Sequence, residues 1–166
     1  MKLKDYQIKE IKKIHKLLKK RKPNWNRLTK YVKYKEEYGE LVCFLTKTKS
    51  KEYLLKEIID CILIDIDLLY SFSITQIDIN QLKNSDYSRT LIIKRLRELG
   101  SIHKAKEFSV SELILTSDIS FITPEEINRS IASLLLLLSH PSLDYTQVEF
   151  DIVWSEKITR LFKRHQ

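Results

Sequence analysis

Apolar positions recur along this chain at the spacing of helices rather than of strands. In residues 4–21, Ile11, Ile14, Leu17 and Leu18 form a stripe among lysines, the recurrence that lines up side chains on one helix face. Lys22-Pro23-Asn24 ends that segment, because proline drives the residue before it out of helical geometry. A second helix is predicted from there to about Thr46, with Asn24 or Asn26 as its cap. Its Leu28, Tyr31, Val32, Tyr38, Leu41, Val42 and Leu45 share one arc, and Glu36, Glu37 and Glu40 fall beside it. After the polar link Lys47-Thr48-Lys49-Ser50, with Ser50 as cap, a third helix is predicted at about 51–72. This one differs in kind. Leu54, Leu55, Ile58, Ile59, Ile62, Leu63, Ile66 and Leu69 cover most of its circumference, so it belongs at the centre of the fold. A narrow polar stripe containing Glu57, Asp60 and Asp67 interrupts it.

The second half is less regular. Residues 73–88 are polar and carry an Asn84-Ser85-Asp86 breaker; a helix at about 88–107 and a mixed stretch at 108–123 follow. Thr123-Pro124-Glu125-Glu126 is a strong helix start: a threonine cap, a proline at the first position, then acids near the positive end of the helix dipole. That helix ends near His140-Pro141. A last helix, about 144–164, is expected to turn Val148, Ile152, Ile158 and Leu161 inward, with Lys157, Arg160, Lys163 and Arg164 toward its end. The pattern predicts a single all-α domain over residues 1–166, with halves at 1–72 and 73–166.

Composition narrows this picture. Two glycines and three prolines among 166 residues argue against an all-β fold, which needs many tight turns. Cys43 and Cys61 sit inside apolar helical patterns, and His15, His103, His140 and His165 lack ligand spacing. Neither a disulfide framework nor a zinc site is expected, and a reducing cytoplasm is the natural compartment. The lysine-rich start lacks the apolar run of a signal peptide, and the Leu134–Leu138 run is far too short to cross a bilayer. No membrane partner is expected. The net charge of +8 is uneven: residues 1–35 hold fourteen basic and two acidic residues. That segment reads either as a lysine-biased solvated face or as a surface that attracts phosphate.

The candidate chemistry lies in two carboxylate pairs at short helical spacing, Glu36-Glu37-x-x-Glu40 and Glu57-x-x-Asp60. If the two helices pack antiparallel across a link as short as 47–50, four carboxylates converge. Four anions beside an apolar core repel one another and resist desolvation unless a hard divalent cation sits among them. Each pair alone is a common surface feature. The second pair, however, lies on a helix too apolar for the surface.

Glu-Glu-Tyr-Gly-Glu-Leu at 36–41 followed by Glu-Ile-Ile-Asp at 57–60 resembles the signature of the MazG family, and the resemblance covers roughly residues 4–72. It implies a MazG-like antiparallel helical bundle and hydrolysis of an NTP or dNTP between the α and β phosphates, releasing pyrophosphate. It implies magnesium, with manganese as an alternative, on Glu37, Glu40, Glu57 and Asp60. Glu36 orients or deprotonates the attacking water, or is a solvated neighbour. Lys33, Lys56, Lys157 and Arg160 are candidates for the phosphate tail. Trp25 resembles an aromatic that stacks on the base in some relatives, the other reading being an ordinary packing tryptophan. Asp67 stands about 10 Å beyond Asp60 by helical rise, where a structural hydrogen bond is the better reading.

The second half resembles a worn copy of the first. Glu37-Tyr-Gly39-Glu-Leu41 aligns with Glu98-Leu-Gly100-Ser-Ile102, and Glu126 to Leu138 resembles Glu57-x-x-Asp60 with its apolar helix. Arg97, Ser101 and Arg129 stand where Glu36, Glu40 and Asp60 do, so this half cannot hold magnesium. One account is a degenerate duplication, similar to the all-α dUTPases, in which the second half serves as an internal partner in a single-chain pseudo-dimer. The other is chance likeness between amphipathic helices. The corresponding assemblies are a monomer completed internally or a homo-oligomer. An alternative of another class is a non-catalytic basic helical protein that binds nucleic acid or regulates, motivated by the charge of residues 1–35. No groove-reading helix with clear base contacts emerges to favour it.

Overall fold

Five helices are present in the computed structural model, which describes residues 1–46, 50–72 and 123–165: α1 (Asp5–Arg21), α2 (Arg27–Thr46), α3 (Lys51–Ser71), α4 (Pro124–Leu138) and α5 (Gln147–His165). No strand occurs among the described residues. None of their helices is long and apolar enough to cross a membrane. The helix expected at 88–107, with Arg97 and the Gly100 segment of the suggested copy, lies outside the described residues.

Local signals set the helix starts. The Asn26 side-chain oxygen accepts from the Thr29 amide at 3.0 Å, the Ser50 side chain from the Tyr53 amide, and the Thr123 side chain from the Glu126 amide. Each satisfies one of the donors a helix start leaves open, an effect of about 1 kcal/mol per cap. Pro124 occupies the first turn of α4, where its missing N–H is no loss.

Helix α3 is the axis of the fold and packs against all four others. Ile58, Ile59, Cys61, Ile62, Ile66 and Leu69 are fully buried, and Asp65 is buried among them. Helix α2 runs antiparallel to it. As numbering rises along α2 from Arg27 through Lys30 to Glu40, its partners on α3 fall from Ser71 through Asp67 to Glu57. Helix α4 lays Ile127, Ile131, Leu134, Leu137 and Leu138 into the same core, while Arg129 points to solvent.

Helix α5 turns Ile158 and Leu161 inward as expected, but not Val148 and Ile152. Val148 and Ile152 are 66% and 55% exposed, whereas Phe150, Val153, Trp154 and Ile158 are buried. Two residues turn a helix by about 200°, so burying Phe150 and Trp154 puts Val148 and Ile152 outside. The larger aromatic pair wins the core. The Trp154 indole N–H also donates to Glu10 on α1 at 3.1 Å. Helices α1 and α5 run side by side in the same direction, with Gln7 and Lys4 bonded to Asp151 at one end and Lys22 beside His165 at the other.

A buried polar clamp ties α1, α2 and α3 together. Lys30 is 2% exposed, and its Nζ lies 3.0 Å from Asp67 Oδ1, 3.2 Å from the Asp67 carbonyl oxygen and 2.8 Å from His15 Nδ1. His15 Nδ1 is also 2.6 Å from Asp67 Oδ1, and Trp25 donates to Asp67 Oδ2 at 2.9 Å. Burial lowers the pKa of Lys30. Burial would raise that of Asp67, but His15, Lys30 and Trp25 together hold its carboxyl below the ordinary value. Asp67→Ala strands a buried ammonium and is expected to cost about 3–5 kcal/mol in urea unfolding, with a smaller loss in the double variant Lys30→Met/Asp67→Leu. A double variant as unstable as the single one would mean that the ion pair is not the source of the loss.

Candidate metal centre

The antiparallel register of α2 and α3 brings the two acidic pairs face to face. One carboxylate oxygen from each of Glu37, Glu40 and Glu57 lies within 4.8 Å of the other two. Opposite ligands of an octahedral magnesium are about 4.2 Å apart, so a small side-chain adjustment makes this group a fitting donor set. Glu37 is buried, and Glu40 and Glu57 are half-buried. Glu57 Oε2 is buried with no hydrogen-bond partner among the described residues, an acceptor that an added cation would satisfy.

Asp60, the fourth expected ligand, stands beside this group but outside it. Its Oδ2 accepts from Lys157 Nζ, which reaches in from α5. Burial raises the pKa of Asp60 even so, with Lys157 opposing. Burial, then the Asp60 and Glu40 charges against the opposing Lys33, pushes Glu37 up to about 7. Burial, then Asp60, Glu40 and Glu37, pushes Glu57 up to about 7 as well. Without a divalent cation this is a site of mutually repelling carboxyls that hold protons near neutral pH.

Glu36 is not a solvated neighbour: it is 6% exposed and shares Lys33 with Glu37. Lys33 Nζ lies 3.2 Å from Glu36 Oε2 and 2.6 Å from Glu37 Oε1. Lys56 pairs with Glu52, one turn back on its own helix, rather than with the carboxylate group. Arg160 is exposed, and its charge acts on Asp60 and Lys56. Trp25 spends its indole N–H on Asp67 while its ring lines a pocket of about 280 Å³. That pocket runs between α1, α2, α3 and α5. Ile11, Ile14, Leu18, Leu63, Ile64 and Leu161 give it apolar walls; Lys33, Glu37 and Asp60 border it on the carboxylate side, and Lys22, Arg164 and His165 also line it.

Sequence reasoning did not single out Lys22, Arg164 and His165 for this pocket, because only the packing of α1 on α5 unites them. It also missed the burial of Lys30. The step of seven from Lys30 to Glu37 on one helix was an available signal, since it puts both on nearly the same face toward α3. No family model, curated protein or solved structure matches this chain. The family resemblance therefore stands on its motifs.

The raised carboxyls make stability pH-dependent. Glu37 and Glu57 keep protons up to about pH 7 in the folded chain, whereas their ordinary value is 4.5. The folded state binds more protons across that window, so its stability falls as pH rises through it. Thermal unfolding without divalent cations is expected to give a lower Tm at pH 8 than at pH 5, and Glu57→Gln should flatten the slope. Magnesium binds the deprotonated site and should restore the loss at pH 8. A profile that rises with pH in metal-free buffer would contradict this.

Proposed function

We propose that the chain is a MazG-like nucleoside triphosphate pyrophosphohydrolase that cleaves an NTP or dNTP to the monophosphate and pyrophosphate. One observation carries the reading: three carboxylates converge from two antiparallel helices, one of them apolar on nearly every other face. Glu37, Glu40 and Glu57 hold magnesium, with manganese as the alternative, and Asp60 is placed to join them. The ion supplies charge neutralisation on the phosphates and an activated water.

The chain's own residues do the rest. Lys33 and Lys157 stand at the carboxylates where the polyphosphate arrives, and Arg160 adds charge beside Asp60. Glu36, buried and paired with Lys33, is the candidate to orient the attacking water. The adjoining apolar pocket receives the nucleoside, with the Trp25 ring held in place through its bond to Asp67. A MazG-like bundle, completed by a second copy or by residues 73–166 as an internal partner, belongs to the same reading.

A non-catalytic nucleic-acid-binding role finds support in the outward Lys9, Lys12, Lys13, Lys16, Lys19 and Lys20 of α1. It leaves the convergent carboxylates without a purpose. The test is a panel of NTPs and dNTPs assayed for pyrophosphate release with magnesium. Glu40→Gln and Asp60→Asn are each expected to lower kcat/KM by roughly two orders of magnitude or more. Undiminished activity in both variants would refute the site, and steep salt-dependent binding to duplex nucleic acid without any turnover would favour the other role.

A further inference from the structure

The carboxylate group already carries two cations of the chain's own. Lys33 bridges Glu36 and Glu37 from one turn earlier on α2, and Lys157 reaches Asp60 from α5. Two ammonium groups thus face the five carboxyl groups of Glu36, Glu37, Glu40, Glu57 and Asp60. We propose that Lys33 and Lys157 are exchangeable counter-ions: a divalent cation entering among Glu37, Glu40 and Glu57 displaces them, and the freed ammonium groups then bind the polyphosphate. The inference rests on reading this group as a divalent-cation site. It adds an order of assembly, with metal first and anion second.

Three observations support the exchange. The first is competition. Lys33 sits 2.6 Å from a Glu37 oxygen, so a divalent ion on the Glu37 carboxylate comes within a few Å of a like charge in a half-buried place. The second is freedom to move. The Lys33 and Lys157 side chains are 36% and 20% exposed, so their ends can swing without unpacking the core. Lys30 is the contrast, 2% exposed and held by acceptors from His15 and Asp67. The third is destination. Lys33 lines the same pocket as Glu37 and Asp60, and Lys157 lies one turn before Leu161, which lines it too. A released ammonium therefore remains in the space the ligand occupies. Because coupling between two ligands is reciprocal, polyphosphate must in turn tighten metal binding.

The experiment uses the full chain and magnesium alone as probe. Lysine acetylation is followed residue by residue by mass spectrometry, while magnesium binding is measured in parallel by calorimetry. Magnesium is expected to speed labelling of Lys33 and Lys157 about two- to fivefold, the range set by releasing a partly exposed ion pair. Lys4, paired with Asp151 at the far end of α5, should not change. Glu40→Gln should abolish the response, and Lys33→Met should bind magnesium more tightly than the wild type by a similar factor. If Lys33→Met does not fold, labelling of the wild type decides alone. Bound magnesium that leaves the labelling of either lysine unmoved, or weaker binding by a folded Lys33→Met, overturns the exchange and leaves the metal site standing. A wild type that binds no magnesium overturns both.

Discussion

Helix α3 has almost no polar face, and that shortage governs every charged group that touches it. A carboxylate on such a helix must lose its charge, find a buried cation or share an ion, because isolated charge in an apolar interior is too costly. The protein uses different answers along one helix. Asp65, fully buried, is pushed well above the usual carboxylate range by burial, although its bond from Tyr38 at 2.5 Å opposes this. Asp67 is kept charged by His15, Lys30 and Trp25. Glu57 and Asp60 are only partly compensated, and burial raises the pKa of both.

The same antiparallel register produces the clamp and the site. Setting Lys30 against Asp67 on one level sets Glu37 and Glu40 against Glu57 and Asp60 about two to three turns away. The rigid, closely bonded end therefore holds the repelling end in place. A carboxylate group that opposes its own assembly needs such support, since the packing energy must come from elsewhere in the bundle. Leu41, Ile58, Ile59 and Ile62, all fully buried near it, supply apolar packing.

Helices α1 and α5 bring charge of the opposite sign. Their basic C-terminal turns suit the negative ends of the helix dipoles, which gives Lys19, Lys20, Arg21, Lys163 and Arg164 a structural reason of their own. Because α1 and α5 run in the same direction, those turns meet, and Lys22, Arg164 and His165 line one pocket with Glu37 and Asp60. An apolar cleft is thereby bordered by charges of both signs.

How far the sequence reaches follows from the range of each force. Helix starts at Asn26, Ser50 and Thr123 were legible because a cap acts within one turn. The centrality of α3 was legible from its nearly unbroken apolar circumference, and the convergence of Glu37, Glu40 and Glu57 from equal spacing on two helices joined by a short link. On α5 the sequence placed Ile158 and Leu161 correctly but misjudged Val148 and Ile152, since only contact with α1 and α3 selects Phe150 and Trp154 for the core. The pairing of Asp60 with Lys157, ninety-seven residues away, and the capture of Lys30 by His15 and Asp67 likewise belong to tertiary structure. Periodicity tells which side of a helix is apolar; which cation ends beside which carboxylate depends on how the helices cross, and no local pattern encodes that.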